Sequence, residues 1–127
     1  MSDREDCITL TIPTGGSFAL IARMALSGFG MLAGLDVDLI ADLRMVTDEC
    51  CDCLTHQPCA PERIGVRAWL ANDALHCCFT AEVRGERIAE PSLELDVTRG
   101  VLETLMPDVR LDTDDGGVYQ ISCAMPV

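Results

Sequence analysis

The chain has 127 residues, 49% hydrophobic and 24% charged, with 9 basic against 21 acidic side chains and a formal charge of −12. That length fits one domain, residues 1–127, able to bury roughly two-thirds of its unfolded surface. Lys is absent and the Arg residues are scattered from Arg4 to Arg110, which argues against a nucleic-acid-binding patch, a P-loop and Schiff-base chemistry.

No apolar run reaches about 18 residues, the length needed to span a membrane, and Met1 to Asp6 is too acidic for a signal peptide. The expected location is the cytoplasm, away from membranes, and the acidic surface suits a partner carrying a basic patch. In that reducing setting Cys7, Cys50, Cys51, Cys53, Cys59, Cys77, Cys78 and Cys123 read mainly as small buried hydrophobes.

Cys7 to Ile12 alternates apolar and polar residues and predicts a strand suited to a sheet edge. From Ser17, a candidate N-cap, to Ala33 a helix is expected, with Phe18, Ile21, Ala22, Ala25, Phe29 and Leu32 as its core stripe. Leu20, Met24 and Met31 form a second apolar line on the other side, and Arg23 is the only charge in the segment. A helix apolar on two sides is either fully buried or faces a partner, and the sequence leaves both open.

Asp36 or Asp38 is placed to cap a second helix running to about Leu54, with Leu39, Leu43, Val46, Cys50 and Leu54 facing the core. Beside that stripe Met45, Glu49, Cys53 and His56 share a face, so a carboxylate, a thiol and an imidazole lie together where any chemistry would sit. Arg63 to Ala71 and Ala74 to Val83 predict a hairpin around Asn72-Asp73. Ser92 to Met106 reads as a third helix ended by Pro107, and Asp108 to Thr113 and Val118 to Ala124 as strands around Asp114 to Gly117. The order β-α-α-β-β-α-β-β predicts an α+β, two-layer sandwich with helices on one face of a mixed sheet.

Cys50, Cys51, Cys53, Cys59 and His56 invite a metal- or redox-sensor reading, since thiolate and imidazole suit soft divalent ions. On one helix, however, Cys51 points about 100° from Cys50, and a structural zinc site usually has two knuckles, so no metal site is assigned. A Cys53–His56 nucleophile pair lacks an oxyanion donor, and Glu49 beside the thiol would oppose its ionisation. Asp112, Asp114 and Asp115 lack the spacing of a calcium loop.

The stretch Ile12 to Val46 resembles the first two helices of the anti-sigma factor serine kinases of bacterial partner-switching systems, members of the Bergerat-fold, histidine kinase-like ATPases. The similarity is carried by Arg23 to Gly28 (R-M-A-L-S-G), by Asp42-Leu43-Arg44, and by Val101 to Met106 (V-L-E-T-L-M) with the strand pair after it, and it spans about residues 7 to 125. It implies a cytoplasmic regulator of transcription whose partners are a sigma factor or a STAS-type antagonist, often as a homodimer. Its first helix would serve association, with Leu20, Arg23, Met24 and Met31 as the partner-binding residues.

The resemblance also implies an ATP site, and here the motifs degenerate. T-D-E-C-C-D-C-L puts Glu49 at the family's general base and Cys53 where an Asn should hold magnesium. Magnesium takes hard oxygen ligands, so a thiol is a poor substitute. The Asp that reads adenine is missing whether Ala81 and Val83 or Val83 and Gly85 occupy that motif. Glu82 is the nearby carboxylate, but strand alternation turns it away from its neighbours. The lid shrinks to Ile88 to Pro91, and the phosphate-binding glycines fall on Asp96 to Arg99, where Glu94 and Asp96 would repel phosphate. The expectation is a pseudo-kinase that binds its partner with no cofactor; the alternative is an active ATP- and magnesium-dependent serine/threonine kinase using Glu49.

Overall fold

The computed structural model describes residues 7–14, 17–56, 61–82, 95–105, 108–114 and 117–126. Its elements are β1 (Cys7–Pro13), α1 (Ala19–Leu32), α2 (Val37–Thr55), β2 (Arg63–Ala71), β3 (Ala74–Glu82), α3 (Leu95–Leu105), β4 (Asp108–Asp114) and β5 (Gly117–Pro126). The five strands form one sheet in the order β1-β2-β3-β5-β4. Type and order of every element agree with the sequence reading, and β1 lies at an edge as expected.

Each pairing is antiparallel, so the sheet is not the mixed one expected. The crossover from β3 through α3 to β4 leaves those two strands pointing the same way. β5 then returns between them and becomes the antiparallel neighbour of both. The β2–β3 hairpin closes on Asn72 and Asp73, both at positive φ (53° and 58°). That pair of conformations twists the ribbon in the sense its strands already have.

Alternation assigns the two faces of the sheet. Ile12, Ile64, Val66, Ala68, Leu75, Cys77, Phe79, Ile121, Cys123 and Met125 are buried and meet Leu26, Leu43, Val46, Cys50, Leu54 and Leu102 from the helices in one core. On the other face the Trp69 and His76 rings stack 5.3 Å apart and Arg67 lies over Trp69 at 5.2 Å.

The α1–α2 corner is built from three local devices. Gly34 takes φ +89°, which lets its N–H reach the Met31 carbonyl (3.1 Å) and the Leu35 N–H reach that of Gly30 (3.0 Å), closing α1. Asp36 caps α2 by accepting from the Leu39 N–H at 2.9 Å. Gly30 lets the helices approach, for a Cβ there would sit 2.8 Å from Ile40 Cδ1 and 3.0 Å from Leu35 Cδ1.

The buried stripe of α1 differs from the expected one. Ala22, Leu26, Phe29 and Gly30 are buried, whereas Phe18, Ile21 and Leu32 are exposed. Leu26, which the periodicity passed over, carries the contact instead. Ser17 is not the N-cap either: the helix starts after Phe18 without a side-chain cap, and the Leu20 N–H bonds the Ser17 carbonyl at 3.0 Å.

Candidate functional site

Two surfaces of the helix layer hold the residues singled out from sequence. The first is a groove of about 330 Å³ between α1 and α2, lined by Leu20, Arg23, Met24, Ser27, Gly28, Met31, Ile40 and Arg44. All four predicted partner-binding residues meet here. Met24 and Met31 are 66% and 67% exposed and Leu20 is 44% exposed, so the second apolar line of α1 is open surface rather than core. Ile40 and Arg44 were missed from sequence. They stand one helical turn apart on α2, and Asp48 a further turn on gives Arg23 its partner.

Arg23 is the one charge of α1 and is tethered rather than free to sample solvent. Its Nη1 donates to Asp48 Oδ2 at 3.3 Å, while its Nε is buried and meets no acceptor among the described residues. The buried Nε is out of reach from outside, but the exposed terminal N–H groups of the guanidinium can still donate to a carboxylate or carbonyl arriving at the groove.

The second surface is the stripe of α2 carrying Met45, Glu49 and Cys53. Met45 is exposed, Glu49 half-buried and Cys53 buried at 6% exposure. Glu49 and Cys53 thus share one side of the helix as the spacing implied. Their donor set is one carboxylate and one buried soft sulfur, which does not fit magnesium.

His56 does not extend this stripe as an exposed catalytic pair would require. It lies at the end of α2, where Nδ1 engages the Asp52 side chain at 3.1 Å and its carbonyl at 2.9 Å. The Cys51 thiol is pushed up to about 11 by burial, then by Asp48 and Asp52, so it stays protonated and unreactive at neutral pH. Among the described residues no group of three or more His, Cys, Asp and Glu is arranged to hold a metal ion.

Glu82 is exposed on the sheet face away from the helices, paired with Arg63 in the β2–β3 register. Its carboxylate lies over Gly65, where an added Cβ would approach it to 2.9 Å. Alternation therefore separates it from Ala81, which packs against the core. Gly85, Val83, Cys59, the short link at 88–91 and Glu94 lie outside the described residues, as do the side chains of Asp96 to Arg99.

No family model matches the chain, and no curated protein matches it. Among solved structures, the crystal structure of the RsbU and RsbW domains of Rv1364c from Mycobacterium tuberculosis is similar, with a TM-score of 0.70 at 18% sequence identity. The match covers 94% of this chain and 31% of that one, so this chain spans under a third of its neighbour's length. The likeness establishes a shared fold over nearly all of the present sequence. No described helix is long and apolar enough to cross a membrane.

Proposed function

We propose that this protein is an anti-sigma-like regulator that acts by holding a protein partner, a sigma factor or a STAS-type antagonist, in the groove between α1 and α2. The observation that carries the reading is the groove itself: exposed Leu20, Met24 and Met31 surround Arg23, whose side chain is 30% exposed and tethered to Asp48. Covering a methionine side chain contributes about 1.5–3 kcal/mol, and a carbonyl or carboxylate on the partner would accept from the exposed terminal N–H groups of Arg23. The fold is shared with a structure containing an RsbW domain, RsbW being the anti-sigma factor serine kinase of partner-switching systems. The sequence resemblance points to the same family. A second copy of this chain fits the same apolar line, making a homodimer part of the proposal.

In this reading the protein works without phosphorylating its partner. Phosphoryl transfer rests on positioning and charge neutralisation. Here Cys53 stands where an oxygen ligand is needed and Glu82 lies on the far side of the sheet. The alternative, an active kinase, is favoured by Glu49, which keeps a carboxylate at the surface of α2. Calorimetric titration with ATP and ADP, with and without magnesium, separates the two. The proposal expects no binding at about 100 µM nucleotide, an affinity near 5–6 kcal/mol. Magnesium-dependent heat, together with phosphate transfer to a purified STAS protein that Glu49→Gln abolishes, would establish the kinase instead.

The partner reading has its own test. Met24→Glu with Met31→Glu should leave the far-UV spectrum and melting of the monomer unchanged while abolishing self-association or capture of a purified sigma factor or STAS protein. A variant that unfolds would make these residues core and remove the basis for the groove.

A further inference from the structure

The two edges of the sheet are armed differently. β4 carries Asp108, Arg110 and Asp112, whereas β1, C-I-T-L-T-I-P, has no charged side chain. Charges at an edge discourage a foreign strand from pairing there, and an uncharged edge rich in β-branched residues invites one. The sheet order puts β1 at the end, so among the described residues no strand pairs with its outer side.

The sequence of β1 also reads the same in both directions: Ile8-Thr9-Leu10-Thr11-Ile12 is a palindrome about Leu10. Two copies laid antiparallel about a two-fold axis at Leu10 match like with like, Leu10 on Leu10, Ile8 on Ile12 and Thr9 on Thr11. Thr–Thr and β-branched pairs of this kind are favourable cross-strand neighbours. The alternation is preserved: Thr9 and Thr11 are exposed, Ile8 and Leu10 pack against the core, and Ile12 is buried.

The helix layer supplies an independent observation. α1 packs over β1 and β2 while α2 packs over β3 and β5, so α1 is the outer helix at this edge. Gly30 marks the side of α1 that meets α2, and Ile21 and Leu32 project roughly 160–180° from it. Phe18, Ile21 and Leu32 are exposed, although the periodicity assigns them to a core stripe. An apolar helix side thus stands open above a strand whose outer backbone groups have no strand partner.

We infer that a second copy of this chain pairs with β1 across a two-fold axis at Leu10, joining two five-stranded sheets into one of ten strands. Opposed residues of an antiparallel pair share a face, so both helix layers come to the same side of the joined sheet. Phe18, Ile21 and Leu32 of each protomer then face α1 of its partner, which gives the missing half of that stripe. This surface lies about 100° round α1 from the Leu20, Met24 and Met31 line. The contact is separate from the α1–α2 groove, leaves it open, and does not rest on the groove reading.

Sedimentation equilibrium of the full chain over about a hundredfold range of concentration tests the pairing. The parent is expected to be a reversible dimer. Thr9→Lys with Thr11→Lys sets lysine against lysine at both threonine pairs and should weaken the dimer about tenfold or more. General repulsion between two chains of charge −12 predicts the reverse, since two added lysines reduce it. Thr9→Lys with Thr11→Glu sets opposite charges against one another only in the register centred on Leu10, and should dimerise at least as well as the parent. Met24→Glu with Met31→Glu should keep the dimer even where it no longer captures a different protein. Amide hydrogen exchange of the unmodified chain gives a reading that needs no variant to fold: protection at residues 8–12 should rise with concentration. A monomeric parent, protection at residues 8–12 that is the same at every concentration, a dimer untouched by the lysine pair, dissociation by both threonine variants, or dissociation by the methionine variant would each overturn the inference.

Discussion

The inward and outward sides of α1 are built to opposite standards. Inward, Ala22 and Leu26 are fully buried, and Gly30 leaves no room for one more carbon against Ile40, Leu35 and Leu43. Outward, Leu20, Met24 and Met31 are 44%, 66% and 67% exposed. The inward side is a solved packing problem; the outward side stays open, and in the proposed reading a partner covers it. Methionine suits that purpose, since its unbranched thioether repacks against surfaces of different shape.

The largest expected effect comes from the side already packed. Leu43→Ala, emptying a fully buried site between the helices and the sheet, should cost about 2–5 kcal/mol in chemical denaturation. Gly30→Ala should cost about 1–3 kcal/mol by overpacking the α1–α2 crossing, with a cooperative transition retained. Asp36→Ala removes the α2 cap and should cost about 1 kcal/mol, read as a lower urea midpoint at unchanged slope. Arg23→Ala should shift monomer stability by at most about 1 kcal/mol, because its ion pair with Asp48 is partly exposed, yet weaken association.

Met24→Glu and Met31→Glu mark the far end, each within about 0.5 kcal/mol of the parent in monomer stability. If either glutamate costs as much as Leu43→Ala, the two sides of α1 are not different in kind and the groove is not a docking surface. If both are silent in stability and association is lost, the contrast sharpens into a measured interface.

Elements whose identity depends on neighbours in sequence were legible: the strand alternation of β1, the Asn72-Asp73 turn, the Asp36 cap and the Leu43–Val46–Cys50–Leu54 stripe. What depends on distant partners was not. The burial of Leu26 over Ile21 is decided by how α1 leans on α2, and the antiparallel sheet by where β5 inserts. The site divides the same way. Leu20, Met24 and Met31 follow from helical spacing, and the far-side placement of Glu82 follows from strand alternation. Ile40, Arg44 and the Arg23–Asp48 pair need the crossing of two helices, 25 residues apart in the case of the ion pair.

The position of β5 also governs the order in which the molecule can be completed. β4 emerges from the ribosome before β5 yet has no strand neighbour until β5 arrives to fill the slot beside β3. Through that interval the nascent chain offers two open ledges, the free margin of β3 and the whole of β4, facing a gap one strand wide. β4 meets it with Asp108, Arg110 and Asp112, charges that discourage an illegitimate strand from settling there. β3 has Cys77 and Phe79 instead. A ribosome pausing within residues 108–117 would therefore hold the chain where a chaperone is most needed, and a stop introduced there should send the product to aggregates rather than to a shortened soluble form.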